Sequence, residues 1–146
     1  MGFYVHVHVS FACDENEPVA WLAKKHAPNY QAEGASDAAR AARWFLDDLA
    51  ERAGHNPGPK GGLSLWGMVG NYTRVEEFCE ILRPFWTELL QTRDCGPDVF
   101  KHIVVFEEPE QSERAIAYEI FLPDGGHTGE PLMIRRHELP FCWNQY

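Results

Sequence analysis

Two histidines near the start of the chain have a spacing that allows them to act together. Apolar and polar residues alternate from Phe3 to Phe11, which predicts a β-strand with His6 and His8 on the same face. On a strand these side chains stand about 7 Å apart, and a pair of imidazoles can bind Zn²⁺. Glu119 and His137 are candidates for a third ligand. Because H-x-H is much less restrictive than established metal motifs, we expect no metal and keep zinc at His6 and His8 as the alternative.

Other catalytic chemistry has little support in the sequence. Cys13 lies between a predicted strand and a predicted helix, where a helix dipole favours a thiolate, but the acidic segment Asp14–Glu17 opposes one. The glycine-rich segment His55–Gly62 lacks the residue order of a phosphate-binding loop, and serine-hydrolase, zinc-protease and dinucleotide-binding motifs are missing from the sequence. Sequence alone leaves open whether the protein is an enzyme. The alternative function is a small metal-dependent hydrolase with His6 and His8 in its site.

Three tryptophans occupy positions that a buried core does not require. Trp21 projects beside two lysines and away from the apolar stripe of its predicted helix, and Trp44 lies among charged residues of the next helix. In a predicted strand, the alternation of side chains places Trp66 on the face opposite that of its leucine neighbours. Because aromatic residues are enriched at binding hot spots, we expect these tryptophans to mark binding surfaces, unless a loop or the aromatic tail buries Trp21 and Trp44.

The composition indicates one acidic, folded domain spanning residues 1–146. The chain has a formal charge of −9 and is 45% hydrophobic. Its basic pairs, Lys24-Lys25 and Arg135-Arg136, are too small to follow a nucleic acid backbone, and the acidic surface repels anionic lipid. No apolar run approaches the roughly 20 residues of a membrane span, and no secretion signal is visible. With four dispersed cysteines, these features predict a soluble cytoplasmic protein that binds neither nucleic acid nor membrane.

The elements that must position these residues can be read from hydrophobic periodicity and from turn residues. Proline and a capping serine predict a short helix between Pro18 and Pro28 and a longer one from Ser36 to about Ala53. A long helix follows the capping box at Thr73, with a kink or break near Pro84. The strands expected after Phe3–Phe11 are Leu63–Val69, a hairpin of His102–Glu107 with Ala115–Leu122, and an edge strand Leu132–Glu138.

This order predicts a two-layer α+β domain in which helices pack on one face of a mostly antiparallel sheet. A ferredoxin-like arrangement with an extra helix is the architecture that we expect. The apolar helix stripes should cover the side of the first strand that carries its valines. That packing would leave Tyr4, His6, His8 and Ser10 on an uncovered face.

The uncovered face leads to the functional expectation. We expect a small binding or regulatory module in which Tyr4, His6, His8, Ser10 and Trp66 contact a protein partner or a second copy of the chain. An isologous homodimer through this face is the simplest arrangement. A small-molecule ligand held between sheet and helices is a further option, which the sequence does not distinguish from the first.

Overall fold

A computed structural model describes residues 5–11, 17–30, 36–55, 63–69, 75–91, 103–107, 114–126 and 128–140. Tyr4, Cys13, Thr73 and the tail Phe141–Tyr146 lie outside these described residues. The strands are β1 Val5–Phe11, β2 Leu63–Val69, β3 Ile103–Glu107, β4 Arg114–Phe121 and β5 Met133–Pro140. The helices are α1 Glu17–His26, α2 Asp37–His55, α3 Val75–Ile81 and α4 Arg83–Gln91. Short 3₁₀ segments follow at Ala27–Asn29 and Pro123–Gly126. For β1 and β2 we describe the backbone and its pairing.

The strands form one antiparallel sheet of five strands in the order β2-β1-β3-β4-β5. The protein is therefore an α+β protein with an antiparallel sheet, as predicted. The β3–β4 hairpin and the edge position of β5 are also confirmed. The strand bounds differ from the predicted ones by one or two residues at most ends, which is the usual uncertainty at the ends of elements.

The ferredoxin-like topology is not confirmed. In the split β-α-β arrangement, a helix connects two strands that have another strand between them. Here α1 and α2 connect β1 to β2, and these two strands are direct antiparallel neighbours. The sequence pattern predicts where strands and helices occur, but strand order depends on contacts between distant segments.

The core lies between the helices and one side of the sheet. On that side, Ile103 and Val105 of β3 and Ile120 of β4 are fully buried, and Tyr118 is nearly so. Register places Val9 of β1 opposite Val105, and directly opposite residues share a face, so the odd positions of β1 belong to the core side. The largest fully buried side chains come from the helices: Trp86, Phe78, Phe85, Leu46 and Leu49.

Helix α2 begins and packs much as its sequence predicts. The Ser36 Oγ accepts a hydrogen bond from the backbone N–H of Ala39 at 3.2 Å, so the predicted N-cap is confirmed. The buried side of the helix is wider than the predicted stripe, because Ala41 and Phe45 join it. The helix also continues through Gly54 to His55.

Pro84 divides the predicted long helix into α3 and α4, as expected. Proline has no backbone N–H, so the carbonyl of Glu80 loses the donor that a continuous helix would supply. The carbonyl groups at the end of α3 then need partners from elsewhere. The Tyr30 hydroxyl donates to the Ile81 carbonyl at 2.6 Å, and burial raises the pKa of this tyrosine. The 3₁₀ segment after α1 is thereby joined to the break.

Candidate functional site

The open face is the side of the sheet opposite the core. Its described side chains are Val104, Ala117, Glu119, Phe121, Met133, Arg135 and His137, as strand alternation and register require. The same register places His8 opposite both Trp66 and Phe106, and Ser10 opposite Val104. The predicted grouping of His6, His8, Ser10 and Trp66 on one side is thus consistent with the backbone pairing. Their role in binding stays a prediction.

A small group of charged side chains occupies the β4–β5 end of the open face. Glu119 Oε1 lies 3.5 Å from His137 Nε2 and 3.8 Å from Arg135 Nη1. The Arg135 guanidinium lies 5.2 Å from the centre of the Phe121 ring. About half of the Arg135 and His137 side chains is exposed (56% and 42%), so these pairs add little to folding stability. They leave a surface of mixed charge and aromatic character in contact with solvent.

Apolar residues also reach solvent on this face. Met133 is 41% exposed, and Phe121 and Val104 are partly exposed. Two apolar side chains that pair across β4 and β5, Phe121 and Met133, lie beside the charged group. An exposed apolar patch bordered by charges is typical of a contact surface for another macromolecule.

The register separates the residues that were candidates for one metal site. His8 and His137 lie in the same row of the sheet, with Phe106 and Ala117 between them. At roughly 4.8 Å per strand, their backbones are about 14 Å apart, whereas zinc–nitrogen bonds are about 2 Å long. Glu119 likewise lies two strands from β1. In the described part of the chain, no three His, Cys, Asp or Glu side chains are grouped so that they could hold a metal ion.

Trp21 and Trp44 are exposed on the helix layer. Trp21 is 61% exposed and Trp44 is 45% exposed, so neither is buried in the way that a covering loop or tail would produce. The buried residues of both helices belong to one cluster with those on the core side of the sheet, and the open face lies on the other side. The predicted binding residues therefore belong to two separate surfaces. Lys25 Nζ lies 5.4 Å from the centre of the Trp21 ring.

A charged group between α1 and α4 was not predicted as a site. His26 is 7% exposed, and its Nε2 lies 2.5 Å from Glu88 Oε2. The other oxygen of Glu88 accepts a hydrogen bond from Lys25. Nδ1 of His26 is buried and has no hydrogen-bond partner among the described residues. Sequence periodicity places His26 on the apolar stripe of α1, but nothing local indicates that a glutamate 62 positions away faces it.

This group predicts a pH-dependent contribution to stability. The hydrogen bond from Lys25, and then that from His26, lowers the pKa of Glu88 below its ordinary value of 4.5. The folded state therefore prefers the charged carboxylate, and the stabilisation is complete above the unfolded pKa and lost as the pH falls through the lower folded value. We expect Glu88→Gln to be less stable than wild type at neutral pH, with the difference disappearing in acid. Urea unfolding at a series of pH values measures it.

Glu51→Gln is the control for this prediction. Glu51 is an exposed glutamate on α2. Its substitution should change the free energy of unfolding at neutral pH by no more than about 0.5 kcal/mol. A Glu88→Gln protein whose free energy of unfolding follows that of wild type at every pH would contradict the proposed coupling.

Comparisons with known proteins supply no relative for this chain. No family model, no curated protein and no solved structure matches it. Among the described residues, none of the helices is both long enough and apolar enough to cross a membrane.

Proposed function

We propose that this protein is a cytoplasmic binding or regulatory module that uses its open face to contact another protein molecule, in the simplest case a second copy of itself. The observation that carries the proposal is the position of Phe121, Met133, Arg135 and His137. These partly exposed side chains lie on the side of the sheet opposite the helical core. Their exposure is unnecessary for folding and suits a contact surface.

Charge supports a second copy as the occupant. The whole chain has a formal charge of −9, so most surfaces of two copies repel each other. The described part of the open face instead carries Arg135 and His137 with a single carboxylate, Glu119. Across a two-fold axis, Arg135 of one copy can approach Glu119 of the other, which makes the surface self-complementary.

Measurement of mass in solution by light scattering tests the proposal. His8→Ala and Trp66→Ala alter two open-face positions, and we expect each variant to have a lower mass than wild type. Trp44→Ala is the matched control, because it removes an exposed indole from the helix layer. A monomeric wild type would exclude self-association. Loss of mass only in Trp44→Ala would place the contact on the helices.

A further inference from the structure

Strand β5 forms one edge of the sheet and is eight residues long. It spans Met133–Pro140 and, in the described part of the chain, pairs with β4 alone. Among the described residues, no second strand pairs with the N–H and C=O groups on its outer side. Native edges are commonly kept very short or are interrupted by bulges. This one continues for eight residues in unbroken register with β4.

We infer that β5 strands of two copies pair antiparallel about a two-fold axis at His137 and join the two sheets edge to edge. Antiparallel pairing of identical strands requires a two-fold axis perpendicular to the sheet. Under that symmetry, one residue of β5 lies opposite the same residue of the second copy. Each residue before it pairs with the residue of the second copy that lies equally far after it. The residue at the axis therefore defines the register.

Charge and strand overlap together favour this register over the others. An axis at Arg135, Arg136 or Glu138 places identical charges directly opposite each other, which is destabilising. An axis at His137 instead pairs Arg136 with Glu138 of the second copy, and the symmetry repeats that pair. It also overlaps nearly the whole strand, from Ile134 to Pro140.

The two residues that form the cross-strand pairs are suitably placed. Arg136 Nη1 donates to Glu138 Oε1 at 2.7 Å within one strand, and both side chains are exposed, at 45% and 40%. Joining two edges exchanges this contact for an equivalent one between copies, so no unpaired charge is buried. Arg136 and Glu138 alternate along β5 with the open-face residues, so their side chains lie on the opposite side of the sheet. The edge contact therefore leaves the open face accessible.

Charged side chains on an edge strand commonly prevent it from pairing with another strand. On β5 they instead favour pairing with a second copy in one register. Charged side chains blunt an edge when any incoming strand must bury them or meet like charges. Arg136 and Glu138 have opposite signs and lie two residues apart on the same side of the strand. A second copy in the register described therefore meets attraction, whereas an axis at Arg135, Arg136 or Glu138 meets repulsion.

A charge-exchange experiment on the full chain tests the inference. Arg136→Glu and Glu138→Arg each place like charges opposite each other, so we expect each variant alone to have half the mass of the wild-type assembly in light scattering. An equimolar mixture of the two variants should recover the wild-type mass, because one copy then supplies two carboxylates and the other two guanidinium groups. The double variant Arg136→Glu/Glu138→Arg should also recover it. Circular dichroism checks that each variant is folded.

The outcomes separate the edge contact from the open-face contact. A monomeric wild type, an unchanged mass in Arg136→Glu, or a mixture that fails to recover the wild-type mass would overturn the edge pairing. His8→Ala and Trp66→Ala, which affect the open face, should leave the recovery of the mixed edge variants intact. If both contacts form and their two-fold axes intersect at a right angle, the assembly has four chains, and loss of either contact halves its mass.

Discussion

Replacing Trp86 by alanine should lower the free energy of unfolding by about 3–5 kcal/mol, the largest effect that we expect from one substitution. The indole is fully buried, with ring centroids 5.3 Å from Phe85 and 5.7 Å from Phe45. Alanine removes most of this contact area and leaves a cavity between α2 and α4. The surrounding rings belong to separate helices, so they can relax only partly into the space.

Trp86 also supplies a hydrogen bond at the break between α3 and α4. Its Nε1–H donates to the carbonyl of Cys79 at 3.0 Å. Cys79 lies in the last turn of α3, where carbonyl groups lack donors from their own helix. Trp86→Phe keeps most of the ring but removes this donor, so we expect it to cost about 1–3 kcal/mol, less than alanine.

Urea unfolding followed by circular dichroism measures both effects. Trp44→Ala is the matched control, because the same substitution at a 45% exposed position should change the free energy of unfolding by no more than about 0.5 kcal/mol. Equal losses in Trp86→Ala and Trp44→Ala would contradict the placement of Trp86 in the core.

Arg43→Ala should destabilise the protein by about 2 kcal/mol through a different mechanism. Arg43 Nη1 donates to the backbone carbonyls of Ala27 and Tyr30, at 3.1 and 3.2 Å. These two residues are themselves buried and follow the end of α1. The substitution leaves their carbonyl groups without this charged donor and removes a connection between α2 and the 3₁₀ segment.

Arg40→Ala on the same helix is the control, because it removes a positive charge without removing hydrogen bonds to the carbonyls of Ala27 and Tyr30. Arg40 is exposed and forms an ion pair with Asp37, and such pairs contribute about 0–1 kcal/mol. Thermal or urea unfolding of the two variants should therefore separate them clearly. An Arg43→Ala protein that is as stable as Arg40→Ala would show that the two carbonyl contacts contribute little.

The secondary structure could be predicted from the sequence because its signals are local. The predicted bounds of β2 are identical to the observed ones, and the helix break falls where Pro84 removes a backbone donor. Ser36 is the predicted cap, and the last strand lies at an edge as predicted. Each of these signals acts within a few residues of its effect.

Contacts between distant segments could not be predicted in the same way. Glu88 lies opposite Lys25 and His26 only because α1 packs against α4, and no local pattern encodes that approach. The distance of Glu119 and His137 from the β1 histidines likewise depends on β3, which pairs between β1 and β4. Residue type alone would assign Glu119, His137 and the β1 histidines to one metal site, although the sheet holds them on different strands.

By itself, the sequence determined the periodicities of the strands and helices, and therefore which positions of each element can share a face. Alternation in β1 groups His6 with His8, and helical spacing keeps Trp21 away from the apolar stripe of α1, whatever the elements pack against. Only the tertiary structure decided the order of the five strands and which helices pack against each other. The physical reason is that periodicity depends on backbone geometry within one segment, whereas order and packing depend on the free energy of burying many segments together.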